Sequence, residues 1–168
     1  MSVRETINQN AKITLAVVTI GVVTALGLAA YQGHKPSIII PTSGYFSDDD
    51  GKTYFQDDAS NIAPFDHQGK QAVSAYLFTG SDGKPFVGYL ERALNAEARE
   101  TVIAARRQLI EQASSRATPD SAVMEQIAKN LEVKRPGTDK WVRAASPEAR
   151  SILVVTDSTG QPAAAVAP

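Results

Sequence analysis

The chain has 168 residues, a formal net charge of −1 from 17 basic and 18 acidic side chains, and no cysteine. The near balance of charge leaves no basic stripe of the kind a nucleic-acid partner needs. The lack of cysteine removes disulfides, thiol nucleophiles, thiolate zinc sites and iron–sulfur clusters together.

Residues 1–12 carry Arg4 and Lys12 against Glu5 and precede an unbroken apolar run, Ile13 to Ala30. As a helix this run would rise about 27 Å, close to the hydrocarbon thickness of a bilayer. The spacing predicts a transmembrane helix over 13–31. The run exceeds the apolar core of about 7–15 residues usual for a cleaved signal, which favours an uncleaved anchor. Arg4, Lys12 and the amino terminus place residues 1–12 in the cytoplasm, and the rest of the chain outside it. The expected location is therefore the cytoplasmic membrane, crossed once, with the bilayer as the first partner. Gly21, Ala25 and Ala29 recur every four residues, the small-residue arrangement through which membrane helices can pack closely. Such spacing also arises simply because Gly and Ala are common in membrane helices.

Residues 32–44 read as a linker bracketed by Pro36 and Pro41, with Ser37-Ile38-Ile39-Ile40 as a short edge strand or a segment at the membrane surface. The exported domain is expected over 45–158. Two hairpins open it. Tyr45-Phe46-Ser47 and Thr53-Tyr54-Phe55 flank Asp48-Asp49-Asp50-Gly51, a strong turn signal. Ala72 to Thr79 and Phe86 to Glu91 flank a second turn that contains Asp82-Gly83. Phe55, Leu77, Phe86 and Leu90 are the predicted core positions of these strands.

The period then becomes helical. Asn95 can cap a helix to about Ser115 that carries Val102, Ala105, Leu109 and Ala113 on one face. Its charges, Glu97, Arg99, Glu100, Arg106, Arg107 and Glu111, read as a solvated face. Thr118-Pro119-Asp120 reads as a second helix start, with Met124, Ile127, Ala128 and Leu131 at helical spacing. A polar loop over 134–140, the packing segment Trp141-Val142 and a helical turn opened by Ser146-Pro147-Glu148 follow. The Pro/Ala-rich tail, 159–168, is expected to be disordered. The predicted fold is α+β: one N-terminal transmembrane helix, then an antiparallel sheet of about four strands built from two hairpins, with two helices packed on one face.

Three stretches, Ser47 to Phe55, Pro64 to Lys70 and Phe86 to Arg92, together with Lys140-Trp141-Val142, resemble a family of small membrane-anchored envelope proteins of planctomycete bacteria. The resemblance covers roughly Gly44 to Arg92 and implies an envelope location and a similar architecture. That family has no assigned activity, so the resemblance supplies no catalytic residues. It also implies cysteines near the second turn in other members. Their absence here means that redox or haem chemistry does not carry over.

The residues themselves offer two functional readings. One is an extracytoplasmic domain for protein interaction or assembly, with another protein or a second copy as partner, no cofactor and no evident catalysis. The alternative is a metal-dependent or hydrolytic envelope enzyme that uses His67 with Asp57, Asp58 or Asp66, the densest set of potential ligands. No nucleophile-elbow pattern surrounds any serine, which weakens the hydrolytic form. Two apparent motifs fail on their spacing. As a calcium loop with Gly51 sixth, Asp48-Asp49-Asp50-Gly51 has Phe46 at the first ligand position and Asp57 at the twelfth. As the end of a phosphate loop, Gly51-Lys52-Thr53 has Phe46 where the earlier glycine must stand.

Overall fold

The computed structural model describes residues 41–114 and 120–168. The expected membrane helix with Gly21, Ala25 and Ala29, and most of the linker, lie outside the described residues. Among the described residues no helix is long and apolar enough to cross a membrane.

The domain is α+β, as its sequence patterning predicts, but its sheet is larger than expected. The strands are β1 (Ser43–Ser47), β2 (Phe55–Asp58), β3 (Phe65–His67), β4 (Lys70–Thr79), β5 (Pro85–Ala93), β6 (Leu131–Lys134), β7 (Val142–Arg143) and β8 (Ala164–Ala165). The helices are α1 (Ala96–Ser114), α2 (Ser121–Lys129) and α3 (Ala149–Leu153). The main path runs β2-β1-β4-β5-β6-β7, and β3 and β8 both join β4. Every pairing is antiparallel.

Both predicted hairpins are present. In the first, Phe46 pairs with Phe55, so Thr53 and Tyr54 belong to the loop rather than to the second strand. In the second, Tyr76 pairs with Tyr89 and Leu77 with Val87, which leaves Gly88 as the extra residue of a bulge. A Cβ at Gly88 would lie 2.5 Å from the Phe78 ring and 2.8 Å from Val155, so only glycine lets the bulge close.

Strand alternation sorts the side chains onto two faces. Tyr89, Glu91 and Ala93 of β5 share one face with Val133 and Leu131 of β6, and all three helices cover it. Against Ala93 and Leu131 pack Ala98, Val102 and Ala105 of α1, Val123 and Ile127 of α2, and Ile62. Against Tyr89 and Val133 pack Val142 of β7, Ala149 and Ile152 of α3, and Val155, with Tyr76, Phe78 and Phe86 at their border. The opposite face carries Ala75, Leu77 and Leu90, with Tyr45, Val73, Val87, Trp141 and Val166 packed against them. Leu77 and Leu90 are thus core residues as predicted, but of the helix-free face. Phe55 and Phe86 are only partly buried.

The helices start where their caps are. Asn95 Oδ1 accepts the Ala98 N–H at 2.8 Å and opens α1. Asp120 rather than Thr118 caps α2, accepting the Ala122 N–H at 2.9 Å, and Thr118-Pro119 lies outside the described residues. The helix ends at Asn130, whose side-chain amide donates to Gln126 O at 2.9 Å. Leu131, expected on the helix, instead begins β6 opposite Ala93. The tail corrects the expectation of disorder. Thr156 bridges to Pro162, and Ala164 and Ala165 pair with Thr79 and Phe78.

Candidate interaction face

The face without helices is organised by pairs across β5 and β6. Leu90 stands opposite Lys134 and Arg92 opposite Glu132. The Arg92 guanidinium donates through Nε and Nη2 to Glu132 Oε2, each at 3.2 Å. It also lies 4.1 Å from the centroid of the Trp141 ring, and Lys134 Nζ lies 5.3 Å from the same ring. The one tryptophan of the chain is therefore flanked by two cations, a geometry in which the ring quadrupole attracts both charges.

Lys134 is 9% exposed. A cation that deeply placed needs partners, and it has two, one from the loop that follows its own strand and one from the distant β1–β2 loop. Its Nζ donates to Thr138 O at 2.8 Å and pairs with Asp50 Oδ1. Asp50 Oδ2 in turn accepts the Gly137 N–H at 2.9 Å. The Lys134 hydrogen bond, helped by the Gly137 N–H, holds the Asp50 carboxyl below its ordinary range against the opposing effect of burial. Residues 50 and 134 thereby clip the β1–β2 loop to the β6–β7 loop. Gly51 sits in this clip at φ 79°, and a Cβ there would press on Pro136 at 3.1 Å.

The acid run Asp48-Asp49-Asp50, read as part of a turn signal, proves to be three carboxylates with three different partners. Asp48 Oδ2 meets His67 Nδ1 at 3.0 Å. Asp49 accepts the Thr53 N–H at 2.9 Å and the Thr53 hydroxyl at 2.7 Å, and these bonds hold its carboxyl below its ordinary range. Asp50 takes Lys134. Three divergent carboxylates do not make a calcium loop. Beside the loop, Tyr54 is 41% exposed and meets Tyr45 edge to face at 5.6 Å.

The enzyme alternative required His67 to converge with Asp57, Asp58 or Asp66, and the geometry does not bring them together. Asp57 Oδ1 accepts the Asp58 N–H at 2.7 Å, Asp58 Oδ1 accepts the Ser60 N–H at 2.7 Å, and Asp66 Oδ1 accepts the Gly69 N–H at 3.3 Å. Each carboxylate accepts from a backbone N–H one to three residues further along the chain. His67 stacks on Phe55 at 3.9 Å between centroids and bonds to Asp48, with Lys70 Nζ 3.9 Å from the other Asp48 oxygen. Among the described residues no group of three or more His, Asp and Glu side chains could hold a metal ion.

The other titratable cluster faces the helices. Glu91 is 7% exposed and accepts the Tyr76 hydroxyl at 2.9 Å, with Arg106 of α1 at 3.8 Å. Burial pushes its carboxyl up, while Arg106 and the Tyr76 bond oppose this. Tyr76 and Tyr89 stack at 4.4 Å, and burial raises both phenols. Arg106 and Arg99 were read as part of a solvated face, yet both turn inward. Arg99 Nε donates to Ile62 O at 2.9 Å. Spacing along the helix gave no sign of this, because the acceptors lie on other elements.

A shallow cleft of about 260 Å³ lies between Gly80–Phe86 and Thr156–Ser158. Its central carboxylate, Asp157, is occupied by structural bonds: Oδ2 accepts the Ser81 N–H at 2.9 Å, and Oδ1 accepts the Thr159 hydroxyl at 2.6 Å and the Thr159 N–H at 2.8 Å. These bonds hold it well below the usual carboxylate range. No protein-family model matches the chain, and neither does any curated protein or solved structure.

Proposed function

We propose that this chain is a single-pass protein of the cytoplasmic membrane whose extracytoplasmic domain binds another protein through the helix-free face of its sheet. The observation that carries the reading is Trp141, half-buried between Arg92 and Lys134, with exposed Tyr54 on the hairpin loop against Tyr45 of the same face. Trp, Tyr and Arg are the residues that dominate binding energy in protein interfaces, most strongly where a rim of neighbours already excludes part of the water. The apolar run with Arg4 and Lys12 before it supports the anchor and its direction. The resemblance to planctomycete envelope proteins points to the same compartment.

The test is isolation of the tagged full chain from envelopes in mild detergent, with two single variants. Arg92→Glu reverses the charge over Trp141, and Val154→Ser alters the exposed apolar residue after α3. The reading expects a discrete complex that Arg92→Glu dissolves and Val154→Ser leaves intact. A monomeric parent chain, or a complex equally sensitive to both changes, would refute it.

A further inference from the structure

β4 is the longest strand among the described residues, and its two edges are used unequally. β5 lines one edge from Ser74 to Thr79. The other edge takes β1 at residues 73 and 74 and then the short β8 at Phe78 and Thr79, while β3 pairs with the start of β4 at residues 70–72. The Val166 N–H continues that last pairing by donating to Leu77 O at 2.9 Å. The segment that occupies this stretch brings very little side chain: Ala163, Ala164, Ala165 and Ala167 surround Val166. Ala164 and Ala165 are exposed. Val166 alone packs against the Ala75, Leu77 and Leu90 cluster, and the Tyr45 hydroxyl donates to Ala167 O at 3.3 Å.

The edge and its occupant are therefore of unequal strength. β4 is fixed by β5 on its far side, by β1 on its near side and by β3 at its start, so the edge persists when the occupant leaves. The occupant is held by a few backbone bonds and one branched aliphatic side chain. Adding a strand to a sheet edge draws affinity from backbone hydrogen bonds and selectivity from pockets for alternate side chains. Here Leu77, Phe78 and Thr79 carry no charge, and the apolar cluster that Val166 joins also holds Val73, Val87 and Tyr45. A fitting segment is extended, uncharged and small, with one valine-sized anchor.

We propose that the β4 edge at Leu77–Thr79 is a strand-accepting site for such a segment of a partner protein, and that residues 164–166 are its resident occupant in cis. The proposal deepens the binding reading above and rests on it for the existence of a partner. A tethered occupant competes at an effective concentration of order millimolar, so the unaltered chain binds a free peptide weakly and release of the tail strengthens binding.

The probe is a fluorescent peptide with the sequence of residues 161–168, followed by anisotropy against the full chain in detergent. Val166→Pro removes both the N–H bonded to Leu77 and the anchor. Far-UV circular dichroism and Trp141 fluorescence report whether this variant is folded. The folded variant should bind the probe at least tenfold more tightly than the unsubstituted chain, and a probe with aspartate in place of its valine should lose that binding. Equal binding to both chains, or none, overturns the proposal. Hydrogen exchange on the unsubstituted chain gives a second reading that no substitution can confound. The Val166 amide should exchange at least a hundredfold faster than the amides of β5, and equal protection would mean that the tail opens only with the whole domain, which also overturns it. If the probe fails while the complex sensitive to Arg92→Glu survives, the strand site alone is refuted.

Discussion

The two faces of the sheet are closed by different means. The helix-bearing face is sealed by three helices that contribute Val102, Ile127, Ala149 and Ile152, and the two longer ones are local elements with their own caps and apolar periodicity. The other face is closed by single residues brought from far along the chain: Trp141, Val166, and the Lys134–Asp50 clip. A face built from helices is stabilised mainly by buried area. A face closed by one ring, two cations and a two-residue strand rests on fewer covering residues, which is what the proposed binding there requires. That contrast is the physical basis for assigning binding to the helix-free side.

The sharpest way to test the contrast compares one large side chain from each face. Ile127→Ala and Leu90→Ala both remove side chains that are 2% and 0% exposed. Each should cost about 2–5 kcal/mol in urea unfolding, because a cavity remains in either place. A negligible cost at Leu90 would show that the helix-free face has no core of its own. The next effect is the clip. Lys134→Ala and Asp50→Ala should each lower stability by about 1–2 kcal/mol, at the lower end of the cost for a charged hydrogen bond because Asp50 is 38% exposed. Their double-mutant cycle should return a coupling of about 1 kcal/mol, and additive losses would mean that the two residues act separately.

The smallest effect separates the faces by pH. Asp49 and Asp50, beside the helix-free face, have lowered carboxyls, so the stability they contribute is present above the ordinary aspartate value of 3.8 and is lost as pH falls below it. Glu91, on the helix-bearing face, behaves oppositely. Its carboxyl is raised, so the folded state holds a proton that the unfolded chain releases above the ordinary value of 4.5, and stability falls as pH rises through the raised value. Glu91→Gln should therefore melt slightly above the parent at pH 8, by no more than about 1 kcal/mol, and the gap should close as pH falls towards 4.5. A gap that widens in acid would place the burial cost elsewhere.

What the sequence discloses follows the same division. The hairpins are legible because Asp-Gly turns and alternation are local, and α1 is legible because Asn95 caps a helical period. Leu131 misleads because it continues the helical spacing while Asn130 has already ended the helix. The three-residue β3 has no signal of its own and exists only where β4 receives it. The tail reads as disorder because alanine and proline carry no core signature, yet backbone bonds to Leu77 and its neighbours need none. In the candidate site, Trp141 is visible as a packing residue, whereas its cations are not. Arg92 and Lys134 converge on it through strand register, and Asp50 reaches Lys134 from the first hairpin. His67 draws attention as a potential ligand, but its partner is Asp48, nineteen positions away in the chain, rather than the nearer Asp66.

The central claim is that the helix-free face is the one covered by a partner in the membrane. The cysteine-free sequence permits a direct measurement with two single-cysteine variants. Tyr54→Cys lies beside the helix-free face and Val154→Cys follows α3; the native residues are 41% and 64% exposed. Maleimide labelling rates are compared between isolated envelopes and the purified full chain. The account predicts that Tyr54→Cys labels at least tenfold more slowly in envelopes than after purification, while Val154→Cys labels equally in both. Unchanged labelling at Tyr54→Cys, or protection at Val154→Cys instead, would contradict it.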